Sequence, residues 1–100
     1  MVLESGALNA TLAAAAGDDA ALMAELRTAF VESARRQLDL LKRSRCDGNW
    51  TIAAMRLKGL AASFHAGELS RVSEEALLCA PGEPTVIRKI ENAIGEIESN

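Results

Sequence analysis

Apolar residues recur along most of the chain at helical spacing, with Gly, Pro or Asp-Gly punctuating the gaps. Leu8 and Leu12 stand four apart in a short leading segment, 7–16, which Gly17 is placed to stop in the left-handed conformation that glycine favours. Asp18 and Asp19 then cap a long helix. Leu22, Leu26, Phe30, Ser33, Gln37 and Leu41 run down one side of it, joined by Met23, Ala34 and Leu38; Glu25, Glu32, Arg35, Arg36, Asp39 and Arg43 form a charged face. Asp47, Gly48 and Asn49 read as a turn before a third helical pattern over 50–66, which Gly67 terminates. Leu69, Val72, Ala76 and Cys79 repeat at i, i+3, i+7 and i+10 in a fourth helix that stops before Pro81 and Gly82. Pro84 opens a fifth, carried by Val86, Ile87, Ile90, Ile94 and Ile97. The predicted fold is all-α: an antiparallel four-helix bundle spanning 18–98, with helices near 18–46, 49–66, 68–80 and 84–98. A short N-terminal helix within 1–17 precedes it. The expected core includes Leu26, Phe30, Leu57, Leu60, Phe64, Val72, Ile90 and Ile94.

One hundred residues suit one domain, 1–100, and 49% hydrophobic with 25% charged residues is the balance of a folding globule, not of a disordered chain. A net charge of −3 supplies no basic field for a phosphate backbone, so nucleic acid is not expected as a partner. No apolar run approaches the roughly 18 to 20 residues that span a bilayer, and the Ala-rich start lacks a preceding basic region. No membrane association and a cytoplasmic location are therefore expected. Cys46 and Cys79 stand far apart, outside any CxxC, and read as reduced thiols. With one His, no HExxH, no GxSxG and no glycine-rich phosphate loop, no metal, cofactor or catalytic group is expected.

The third helix carries more information. On a wheel of about 100° per residue with Met55 at zero, Ala53, Leu57, Leu60, Ala61 and Phe64 fall between about 140° and 240° and form the expected buried stripe. Met55 lies opposite, with Thr51, Lys58, Gly59 and Ala62 within about 60° of it. A large apolar side chain among small residues should thus face outward. Glycine in mid-helix costs up to about 1 kcal/mol relative to alanine, and close approach by another surface is one reason to keep it.

The run Ala54, Met55, Arg56, Leu57, Lys58, Gly59, Leu60, Ala61, Ala62, Ser63, Phe64, His65, Ala66 resembles the signature of histidine-containing phosphotransfer (HPt) domains. There an alanine and the phosphorylated histidine precede x-Leu-Lys-Gly, and a Gly-Ala pair closes the motif. Gly17, Asp18 and Asp19 before a helix with Leu26 and Phe30, and Asp47, Gly48, Asn49 and Trp50 before the motif, are similar in kind and spacing to the rest of such a domain, so the resemblance covers nearly the whole chain. It implies a four-helix bundle with a short helix in front, working in a two-component phosphorelay.

Met55 stands where the family has its phosphoacceptor histidine, and a thioether offers no nitrogen to form a phosphoramidate. What the resemblance implies is therefore a pseudo-phosphotransfer module. It would bind a response-regulator receiver domain, alone or within a hybrid histidine kinase, without relaying phosphate and without being an enzyme. Thr51, Met55, Arg56, Lys58, Gly59 and Ala62 are the expected partner-binding residues, with Lys58 and Gly59 matching the family's lysine and glycine. His65 stands where the family usually has glycine. Ten residues from Met55 is about 15 Å along the axis, too far to share one docking site. An active phosphotransferase using His65, and a helical interaction module outside two-component signalling, remain as alternatives.

Overall fold

The computed structural model describes residues 2–99, with side-chain surroundings for residues 6–99. Met1 and Asn100, the ends of the expected single domain, lie outside the described residues. Five helices account for the architecture, and no strand occurs among the described residues: α1 (Val2–Ala16), α2 (Ala20–Arg43), α3 (Asp47–Ser63), α4 (Gly67–Ala76) and α5 (Pro84–Ser99).

Local chemistry sets most of the ends. Gly17 closes α1 at φ 67°, its N–H donating to the Ala13 carbonyl at 2.8 Å. Asp19 caps α2, its carboxylate accepting from the Leu22 N–H at 3.0 Å. Glu83 does the same for α5, accepting from Val86 N–H at 2.8 Å, with Pro84 in the first helical position where its missing N–H costs nothing.

Helix α1 begins at Val2 where 7 was expected and α2 ends at Arg43 where 46 was expected, and three further boundaries differ from the sequence expectation. Asp47, Gly48 and Asn49 are not a turn but the first turn of α3, where Asp47 favours the positive helix end. Helix α4 ends at Ala76, and the chain from Leu77 to Cys79 tightens into successive i to i+3 bonds that donate to Glu74, Glu75 and Ala76 carbonyls. Cys79 still packs against the core, so its apolar register outlives the α-helix that was expected to carry it. Gly67 does not terminate α3; it begins α4, and the stop lies two residues earlier.

In the core, α2, α3, α4 and α5 form a closed ring of neighbours, α2 on α3, α3 on α4, α4 on α5 and α5 on α2, while α1 packs on α2 and α4. Of the expected core, Phe30, Leu57, Val72, Ile90 and Ile94 are buried, whereas Leu26, Leu60 and Phe64 are half-buried at its margin. In α2 the buried line is Phe30, Val31, Ala34, Leu38 and Leu41. Ser33 and Gln37 lie at its edge, and Leu22 is exposed. The leading helix is a fuller element than its weak pattern suggested. Leu8 and Leu12 are completely enclosed, Arg27 of α2 donates to the Asn9 side chain, and Phe30 meets Phe64 with ring centroids 5.0 Å apart.

Trp50 enters the core from the first turns of α3, and its indole Nε1–H donates to the carbonyl of Ala76, the last residue of α4, at 2.8 Å. Helix α4 therefore returns along α3, clamped at this end by a buried hydrogen bond. Ion pairs brace three sides of the ring from outside: Lys42 to Glu91 and Arg35 to Glu98 (α2 to α5), Lys89 to Glu75 (α5 to α4) and Lys58 to Glu74 (α4 to α3). All are exposed, so each is worth at most about 1 kcal/mol. Trp50→Phe, which removes the indole donor and leaves the Ala76 carbonyl only the Cys79 N–H, should cost about 0.5 to 1.5 kcal/mol in urea unfolding. Ser73 is fully enclosed with no hydrogen-bond partner for its hydroxyl among the described residues, so Ser73→Ala should be neutral or stabilising in the same measurement.

Candidate protein-docking site

Which face α3 turns outward is decided by what it buries. Trp50, Ala53, Ala54, Leu57 and Ala61 point into the core. Trp50 and Ala54 fall at about 220° and 260° on the wheel, so the buried stripe is turned by about 30° from its expected centre. Helix α3 lies between α2 and α4, and Ala53, Ala54 and Ala61 are the small residues of its buried face. Leu60, at about 140°, is left at the margin, and Phe64 is half-buried because it is the C-cap beyond the last turn of α3.

The outer face keeps Met55 at its middle. Met55 is 58% exposed and Leu57, two residues on, 0%. Thr51, Arg56, Gly59 and Ala62 are also exposed. Lys58 is less open than its neighbours, its side chain 42% exposed, and reaches from this face toward α4, its Nζ 3.5 Å from Glu74 Oε2. At Gly59 an added Cβ would meet no atom of a neighbouring element within 4 Å, so no packing contact among the described residues requires glycine there.

Two exposed apolar residues on or beside this face escaped the sequence reading. Ile52, 50% exposed, precedes Met55 by three residues and extends its patch; that spacing alone was sufficient to find it. Leu40 of α2, 40% exposed, faces Ile52 across a groove floored by Ala53 and Ser44. Nothing in the sequence marks Leu40, because its role depends on which flank of α2 lies beside α3.

His65 is not on this face. It follows the C-cap of α3 in the left-handed conformation, φ 59°, where glycine is the usual choice. The Ala66 N–H donates to the Ala61 carbonyl at 2.8 Å and the His65 N–H to the Ala62 carbonyl at 3.2 Å, the paired bonds of a Schellman stop. Its ring Nδ1 is 2.9 Å from the Thr11 hydroxyl, which also donates to the Ala7 carbonyl at 3.1 Å; Nδ1–H is then the donor to Thr11. His65 thus links the α3–α4 corner to α1.

Other reactive groups do not form a centre. Burial, then Glu83 and Glu75, pushes the Cys79 thiol up, which disfavours the nucleophilic thiolate. Arg71, hydrogen-bonded to Glu68, holds that carboxyl below the usual range. Among the described residues no three His, Cys, Asp or Glu side chains are grouped to hold a metal ion, and no helix is long and apolar enough to cross a membrane. The site therefore offers no acid, base or nucleophile at its centre, only an apolar surface of low relief with charge at its edges.

Comparison with known proteins gives no match: neither a family model, nor a curated protein, nor a solved structure matches the chain.

Two substitutions test the local geometry. Gly59→Ala fills open space and improves helix propensity, so chemical denaturation should show a gain of about 0.5 to 1 kcal/mol. His65→Gly relieves the left-handed backbone but removes the Thr11 bond, and a net gain of a few tenths to about 1 kcal/mol is expected.

Proposed function

We propose that the chain is an HPt-like module, an antiparallel four-helix bundle with a leading helix. In this reading it binds receiver domains of response regulators or hybrid histidine kinases in the cytoplasm and relays no phosphate. The observation that carries this reading is Met55, exposed at the middle of a face of small residues, at the position where the resemblance has its phosphoacceptor. A thioether there removes the phosphoramidate chemistry but preserves a flat apolar contact, and methionine adapts readily to a partner's surface. Gly59 supports the same reading. It costs the helix stability and has no neighbour to explain it, which fits a surface that another molecule approaches closely.

The left-handed backbone at His65 gives a physical reason for glycine at that position in the family motif, and so makes His65 a replacement within a helix stop. Its position at the far end of α3, bonded to Thr11, favours no role at the Met55 face.

The test is incubation with each receiver domain encoded by the host, with binding followed by calorimetry and phosphate by acid-labile label. At least one receiver should bind, and neither Met55 nor His65 should acquire phosphate from the phosphorylated receiver. Gly59→Leu should weaken that binding about tenfold or more while circular dichroism stays helical, because a bulky side chain then stands between the surfaces. Met55→His should permit some transfer. Stoichiometric label on His65, or undiminished binding by folded Gly59→Leu, would contradict the proposal.

A further inference from the structure

Three sides of the helical ring are braced by ion pairs between helices, and the fourth is not: none joins α2 to α3 among the described residues. Like charge stands at that seam instead. Arg43 of α2 and Arg56 of α3 both line the groove between Leu40 and Ile52, and no carboxylate lines it with them. Asp39, which does not line the groove, pairs with Arg43 at 3.0 Å, while Arg56 has no ion-pair partner among the described residues. Two guanidinium groups in one recess repel each other unless an anion stands between them. The recess also has depth. Its floor is the buried Ala53 and Ser44, the Ser44 hydroxyl is already committed to the Leu40 carbonyl at 2.8 Å, and Asn49 adds a side-chain amide that can donate. The groove measures about 330 Å³, enough for a small molecule.

We infer that the α2–α3 groove is a binding site for a small organic phosphate, a phosphate monoester with an apolar body. The head sits between Arg43 and Arg56, and the body lies over Ala53 between Leu40 and Ile52. Charge selects the head. A phosphate monoester carries a charge of about −1.5 to −2 at pH 7 and offers three strong acceptor oxygens, which suits two guanidinium groups at once. A carboxylate, with one charge and two oxygens, matches only one of them. Bound there, the phosphate ties α2 to α3 and supplies the brace that the other three sides of the ring have in their own ion pairs. The site is made by this chain alone, so it stands apart from the receiver-binding reading.

Phenyl phosphate is the probe, with inorganic phosphate, benzoate and phosphatidylcholine vesicles containing phosphatidic acid as comparisons. Each is titrated at low salt into protein labelled in its Leu and Ile methyl groups and Arg side chains. Phenyl phosphate should shift the Leu40 and Ile52 methyl signals and the Arg43 and Arg56 guanidinium signals, and should bind at least about fivefold tighter than inorganic phosphate or benzoate. It should also raise the urea midpoint of unfolding and lose affinity as salt is added. Arg43 and Arg56 are exposed, so Arg43→Gln and Arg56→Gln should stay folded by circular dichroism, and each should weaken binding about fivefold or more. Arg88→Gln, on α5 and outside the groove, should leave it unchanged. Inorganic phosphate binding as tightly as phenyl phosphate would remove the apolar walls from the site, and benzoate doing so would remove the phosphate head. Binding to the vesicles alone would assign the seam to a membrane surface. Each of these results overturns the inference, as do shifts confined to other residues. If no host receiver binds, the proposed function fails while this titration stands.

Discussion

The rotation of α3 about its own axis is the constraint on which the rest depends, and Trp50 does most to set it. The largest side chain of the core enters from the first turns of that helix and gives its indole N–H to the carbonyl that ends α4. At the other end, the left-handed His65 and the bond from Ala66 to Ala61 turn the chain sharply into α4. Held at both ends, α3 has one way to bury Ala53, Ala54, Leu57 and Ala61, and that way leaves Ile52, Met55 and Gly59 outside. A turn of one residue, about 100°, would bury Arg56 and expose Ala54. The candidate site is thus a by-product of core packing, placed by residues that do not belong to it.

Energetically the two faces of α3 are opposites. The inner face combines buried apolar area with a satisfied indole. The outer face contains a glycine that weakens the helix, an apolar side chain in water and an arginine without an ion-pair partner among the described residues, none of which stabilises the monomer. Isolated exposed apolar residues are ordinary, but Leu40, Ile52 and Met55 are joined across one groove and its neighbouring turn, and such contiguity is what marks contact surfaces.

Periodicity made the all-helical class, the number of helices and the outward direction of Met55 legible, because amphipathic spacing is a local property. Helix ends were less so. Gly67 is a reasonable stop by composition, yet the left-handed residue is His65, since a single non-glycine residue can hold that conformation at modest cost when the two closing hydrogen bonds form. Cys79 shows the reverse case, an apolar register that continued after the helix had tightened into turns. Lateral relations were the least visible. Neither the burial of Trp50 against α4, nor the pairing of Lys58 with Glu74, nor the place of Leu40 opposite Ile52 follows from spacing within one helix; each needs the neighbour.

The most direct test of the central claim is the methyl resonance of Met55, labelled with carbon-13 and observed while each host receiver domain is added in turn. For a cognate receiver the account predicts that this signal shifts and becomes protected from a soluble paramagnetic probe, equally in protein that has been incubated with phosphodonor. A receiver that binds while the Met55 methyl keeps its shift and its accessibility would contradict it.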